Sequence, residues 1–197
     1  MLTLLELVSL LKEVIISIAT IIGSIVAWRG LKSWKSQLRG TTEYQVSEKV
    51  LEKSYMLQDY FKEVRDPLLG PKRVEPNKGE TIQESFVRGE LEAYRRRLER
   101  VNDAKRELRL LRFKVKALFG EDKSKKIDSL LSKVSELYIA YNAYFTMKLK
   151  RQRTAEEEEI MDENWKKVYW QGTKDAFEEN VNRRILDIEK EFRQYLK

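Results

Sequence analysis

The pattern of apolar and polar positions changes character about one seventh of the way along the chain. From Val14 to Trp28 the sequence reads VIISIATIIGSIVAW, fifteen residues without a charge, and the preceding LTLLELVSLL extends the same apolar helix towards the N-terminus. A membrane-spanning helix needs about 20 apolar residues. A span here must therefore take in part of that extension, leaving Lys12 and Glu13 near one interface or shielded from lipid.

Beyond Trp28 the apolar positions become periodic. The segment LKSWKSQLRG prolongs the first helix as a basic arm as far as Gly40, where a break is expected and Thr41 or Thr42 can cap the next helix. That helix runs from Thr42 to Arg65 with Val46, Val50, Leu57, Phe61 and Val64 on one face, and Asp66 before Pro67 ends it. Pro67, Pro71 and Pro76, with Gly70 and Gly79, predict a connecting loop. Thr81-Ile-Gln-Glu84 is a capping box that opens the longest helix, which reaches Leu118. Leu91, Tyr94, Leu98, Val101, Leu108, Leu111, Val115 and Leu118 alternate three and four residues apart, the spacing of an antiparallel seam. Lys105 falls on this seam. Ala104 is expected to fill the core there while the lysine stem snorkels.

A further helix from Asp122 to Arg151 carries Ile127, Leu131, Val134, Tyr138, Tyr141 and Phe145 on one face. Tyr138, Tyr141 and Tyr144 resemble a site, but aromatic residues on an amphipathic helix are expected in its core. Thr154 caps a segment towards Trp170, Gly172 and Thr173 punctuate the chain, and Phe177, Val181, Ile185, Ile188 and Phe192 mark the last helix. The predicted class is all-α: an N-terminal transmembrane helix and basic juxtamembrane arm over residues 1–40, then a cytosolic antiparallel helical bundle of roughly four to five helices over 41–197.

Composition agrees with helices. Three prolines and eight glycines in 197 residues leave long stretches of Glu, Lys, Leu and Arg. Cysteine and histidine are both absent. That removes thiolate chemistry, the commonest metal ligand and the usual general base near neutral pH, so no catalytic, metal or cofactor site is expected.

The net charge of +7 is concentrated after the apolar segment. Arg29, Lys32, Lys35 and Arg39 crowd its C-terminal flank, while Trp28 and Trp34 suit a membrane interface. A cleaved signal peptide fits less well, because a basic leading region and a small-residue cleavage site are missing. The positive flank predicts a single-pass protein of the cell inner membrane with a cytoplasmic C-terminal domain.

Around the first helix, Glu6, Ser9, Glu13, Ser17, Thr20, Ser24 and Ala27 fall within an arc of about 80°. Such a stripe can line a pore in a ring of copies, with Glu6, Ser9, Glu13, Ser17, Thr20 and Ser24 facing water. The plainer reading is a packing seam whose hydroxyls bond the carbonyls of the preceding turn. Ala19, Gly23 and Ala27, four residues apart beside the stripe, allow close approach of a neighbouring helix.

Arg95, Arg96 and Arg100 begin a basic run that offers itself to an anionic partner such as nucleic acid. Glu92, Glu99, Asp103 and Glu107 are interleaved with it, as on an ordinary solvated helix. The four carboxylates Glu156 to Glu159 point in different directions on a helix and read as its solvated start.

The run Trp34-Lys35-Ser36-Gln37-Leu38-Arg39-Gly40-Thr41-Thr42-Glu43-Tyr44, followed by Arg65-Asp66-Pro67, resembles a group of small bacterial single-span membrane proteins with a cytosolic helical domain. The layout also resembles the membrane accessory proteins of type VI-B CRISPR systems, which implies an oligomeric pore, a HEPN-like helical scaffold and a role in defence against phage. HEPN nucleases need a histidine shortly after an arginine, so without histidine only the scaffold is implied. The expected function is thus a homo-oligomeric membrane effector or accessory protein. The alternatives are a non-enzymatic anchor or adaptor for a soluble effector, or a membrane-tethered nucleic-acid or nucleotide sensor.

Overall fold

Among the described residues, helix-forming residues at three- and four-residue spacing wind into five α-helices. A computed structural model describes residues 4–67, 74–150 and 152–196, the side chains of residues 4–11 and of Glu13 excepted. The helices are α1 (Leu4–Arg65), α2 (Ile82–Phe119), α3 (Glu121–Lys148), α4 (Ala155–Val168) and α5 (Ala176–Phe192). Short 3-10 turns follow at Gly172–Lys174 and Arg193–Leu196, and no strand occurs among the described residues. Gly70 and Pro71 of the expected loop, and Arg151, lie outside the described residues.

The chain divides into two compact units, 1–44 and 45–197. The first is the leading part of α1. Every side chain from Val14 to Thr41 is exposed. By length and composition α1 can cross a membrane, with a window of mean hydropathy 1.9 that is wholly unburied.

The break expected at Gly40 does not occur. Helix α1 continues through it, and the Thr42 hydroxyl donates to the Leu38 carbonyl at 2.8 Å instead of capping a new helix. The reason is energetic. A glycine inside a helix costs only about 1 kcal/mol relative to alanine, and the Arg39–Glu43 pair at 2.7 Å bridges the position one turn apart.

The second unit holds the core, drawn from the latter part of α1 and from every later helix. Val50, Leu57, Val101, Leu108, Ile127, Leu130, Leu137 and Ile188 are completely buried. Lys53 pairs with Glu107 at 2.8 Å and Glu63 with Arg100 at 2.7 Å, so positions rising along α1 meet positions falling along α2. Helices α2 and α3 are related in the same way by Arg112–Asp128 and Lys148–Glu90, both at 2.6 Å.

Capping boxes start α2 and α4: Thr81 and Thr154 each accept the amide hydrogen three residues on and donate their own to Glu84 and Glu157. Gly120, at φ 92°, makes the corner between α2 and α3 that a residue with a Cβ would strain. Ala104 is buried, and the Lys105 ammonium reaches out to the Ser135 hydroxyl at 3.3 Å. Tyr138 is a correction. It is 47% exposed, and the core position on that turn is Leu137, one residue earlier.

Tyr141 and Tyr144 do join the core. The Tyr94 ring stacks on Tyr141 at 4.6 Å, and Tyr144 meets Tyr169 edge-on at 5.7 Å. Burial and a hydrogen bond to Glu90 push the Tyr169 hydroxyl far above its ordinary range, so it stays a neutral donor. Glu90 also holds Lys148, whose burial would lower its pKa; the bonds to Glu90 and Tyr144 outweigh that and raise it.

Candidate functional site

Two features stand apart from ordinary packing, one in each unit. In the first, the Thr20 hydroxyl donates to the Ile16 carbonyl at 2.8 Å and the Ser24 hydroxyl to the Thr20 carbonyl at 2.9 Å. These polar positions are therefore satisfied along their own helix, as a packing seam requires. Ser17 lies on the same face, exposed. Glu6, Ser9 and Glu13 are on α1, with side chains outside the described residues.

Beside the stripe, Ala19 and Ala27 are exposed, and a Cβ added at Gly23 would meet nothing within 4 Å. At the far end of the apolar segment Trp28 and Trp34 are 67% and 61% exposed. Lys32 sits 6.0 Å from the Trp28 ring, while Arg29 and Lys35 are open to solvent.

In the second unit the sequence reading missed the most unusual polar group. Arg65 and Asp175 form an ion pair at 2.7 Å with side chains only 3% and 2% exposed. The Arg65 guanidinium also donates to the carbonyls of Lys167 at 2.7 Å and of Lys166 and Tyr169 at 3.1 Å, and lies 4.8 Å from the Phe177 ring. It thereby satisfies carbonyls that the end of α4 leaves without helical partners. The Arg65 carbonyl in turn accepts the Trp170 amide hydrogen at 2.8 Å.

Asp175 does three jobs at once. It neutralises Arg65, accepts the Gln171 amide at 2.8 Å and caps α5 by accepting the Glu178 amide at 2.8 Å. Burial pushes its carboxyl up, but Arg65 and the two amides outweigh burial and hold it below the ordinary carboxylate value.

Over this floor lies an open cleft of about 640 Å³. Phe61, Phe177 and Val181 give it an apolar base, and Trp170, 50% exposed, stands at its edge with its indole N–H donating to Glu178 at 3.0 Å. Gln58 donates to Asn182 across one side at 2.6 Å. Clefts of roughly 300–1,000 Å³ suit small ligands or a few side chains of a partner.

The arginine run is largely engaged within the second unit. Arg100 grips both Glu63 oxygens at 2.7 and 2.9 Å, Arg95 bonds Tyr141, and Arg96 reaches its own helix at the Glu92 carbonyl. Arg97 reaches the carbonyls of Val64 and Asp66. Among the described residues no group of His, Cys, Asp or Glu is arranged to hold a metal. Compared with known proteins, the chain matches no family model, no curated protein and no solved structure.

Proposed function

We propose that this protein is a membrane-anchored, non-catalytic effector or accessory protein that works as a homo-oligomer. The observation that carries this reading is the exposure of the apolar segment: Ile15, Ile18, Ile21, Ile22, Ile25 and Val26 are all 46–64% exposed. A continuous surface of that kind calls for lipid or another protein. Its seam of Ser17, Thr20 and Ser24, with the small residues Ala19, Gly23 and Ala27 alongside, suits the approach of a second copy.

On this reading the second unit is a cytoplasmic bundle, set there by the basic flank Arg29, Lys32, Lys35 and Arg39. The resemblance to membrane accessory proteins of CRISPR systems supports a role in antiphage defence through disturbance of the membrane. In a ring, Glu6 and Glu13 would bias conduction towards cations.

The test is the oligomeric state of the full chain in detergent, followed by ion flux in liposomes. A discrete oligomer that Gly23→Leu reduces to monomer, with insertion retained, supports the reading. Glu13→Leu with Thr20→Leu is expected to lower the flux without loss of insertion. A monomer that conducts no ions overturns it.

A further inference from the structure

The face of α1 that carries Ser17, Thr20, Ser24 and Ala27 does not end with the apolar segment. Stepping on by alternate threes and fours, the same line runs through Leu31, Trp34 and Leu38. Its polarity reverses on the way. Within the apolar segment it is the polar line, and in the basic arm beyond Trp28 it is the apolar one. Leu31, Trp34 and Leu38 are 48%, 61% and 56% exposed, so no described part of the chain covers them.

A line that is polar against lipid and apolar against water suits neither surrounding. What suits both halves at once is a neighbouring helix with the same reversal at the same heights, and a second copy has it. Lipid headgroups are the rival cover for the arm. They occupy roughly 5–8 Å on each side of the apolar core. Leu38 lies beyond that reach, about 15 Å along a helix axis from Trp28. Helix α1 runs unbroken from Leu4 to Arg65, so no bend lays the arm along the surface.

The charges of the arm leave this line clear. With Leu31 and Leu38 at heptad position a and Trp34 at d, Arg29, Lys32 and Arg39 fall at f and b, on the far side. Lys35 falls at e. In a parallel pairing it meets Gly30, at g of the next copy, and not another cation.

We propose that α1 self-associates through a parallel, in-register seam that continues from the apolar segment into the arm. Leu31, Trp34 and Leu38 are buried there against the same residues of a second copy. The seam rests on the homo-oligomer reading and adds to it, because an arm in water supplies a hydrophobic drive that hydroxyls in lipid lack. Trp34 then packs against protein and not against headgroups.

The experiment uses the full chain in liposomes, with association read by energy transfer between labelled copies as lipid is added to dilute them. Leu31→Lys with Leu38→Lys is expected to weaken association at least about tenfold, because leucine burial is lost and like charges face each other. Ser33→Lys with Ser36→Lys adds the same charge on the opposite face and is expected to leave association unchanged. The chain has no cysteine, so an introduced thiol reports its own position alone. Under mild oxidation Thr41→Cys, the next step of the seam, is expected to give a covalent dimer, and Ser36→Cys is not.

Flotation and circular dichroism check that the lysine variants insert and stay helical; if the seam variant does not, the cysteine yields decide alone. Equal association of the parent and the seam variant overturns the seam and leaves oligomerisation through the apolar segment in place. A dimer yield at Ser36→Cys equal to that at Thr41→Cys does the same. A parent that stays monomeric overturns both readings.

Discussion

The two units of this chain use the same residue types in opposite ways. Ile18 and Ile22 of the first unit are 52% and 56% exposed, whereas Ile127 and Ile188 of the second are fully buried. The difference lies in what accompanies them. Between Val14 and Trp28 of the first unit apolar residues cover nearly all of the helix surface and leave one narrow polar stripe, so no single neighbour can bury them. In the second they form one seam per helix, backed by charged residues, and five helical segments close over that seam. One arrangement leaves its apolar surface for something outside the chain to cover; the other makes its own interior.

The largest test of that contrast strikes the first unit alone. On insertion scales each arginine at the centre of a spanning helix costs about 2.5–3.5 kcal/mol. Ile18→Arg with Ile22→Arg should therefore abolish membrane association, measured by flotation. Unit two should keep the parent's thermal unfolding transition. Loss of both would show that the second unit folds only when anchored.

The reciprocal test strikes the second unit. Arg65→Ala leaves Asp175 buried without its partner and returns the last α4 carbonyls to an unsatisfied state, a loss of about 3–5 kcal/mol. The unfolding midpoint in denaturant should fall sharply while flotation is unchanged. Because the Asp175 carboxyl is held below its unfolded value, its contribution is present above the ordinary carboxylate range and is lost as pH falls through the folded value. Asp175→Asn should remove that part of the acid-side loss of stability, which a pH series of midpoints would reveal.

Much of the second unit was legible because its signals are local. The capping box at Thr81, the cap at Thr154 and the seam from Leu91 to Leu118 depend on residues a few positions apart, and the helices begin where those signals lie. Tyr138 was misplaced by one residue, since Leu137 and Tyr138 both fit an apolar spacing and only packing selects between them.

The Arg65–Asp175 pair was not legible. Each residue reads as ordinary where it stands, a cation in a helix's last turn and an aspartate capping another helix. Their meeting depends on how the ends of α1 and α4 are brought to the start of α5, information that no local spacing carries. The Arg65-Asp66-Pro67 run drew notice only as a helix end and as part of a resemblance. The cleft above it, built from α1, α5 and the turn between α4 and α5, was invisible for the same reason.

The smallest test concerns Gly40, the last glycine of α1. A glycine in this position suggests a stop because it alone enters left-handed backbone without strain. The alternative is that Leu38 and Arg39 before it and Glu43 beyond the two threonines carry the helix through. Nothing lies within 4 Å of where a Cβ would stand, so alanine fits without displacing a neighbour.

If the helix is continuous, Gly40→Ala should lengthen the hydrogen-exchange lifetimes of the amides around it by about fivefold, the equivalent of roughly 1 kcal/mol of helix propensity. Gly40→Pro should shorten them by much more, since it removes a helical hydrogen bond and crowds the preceding turn. Unchanged exchange in Gly40→Ala, with rapid exchange of the same amides in the parent, would mean that the helix stops there after all. Local propensity would then have outweighed the Arg39–Glu43 bridge.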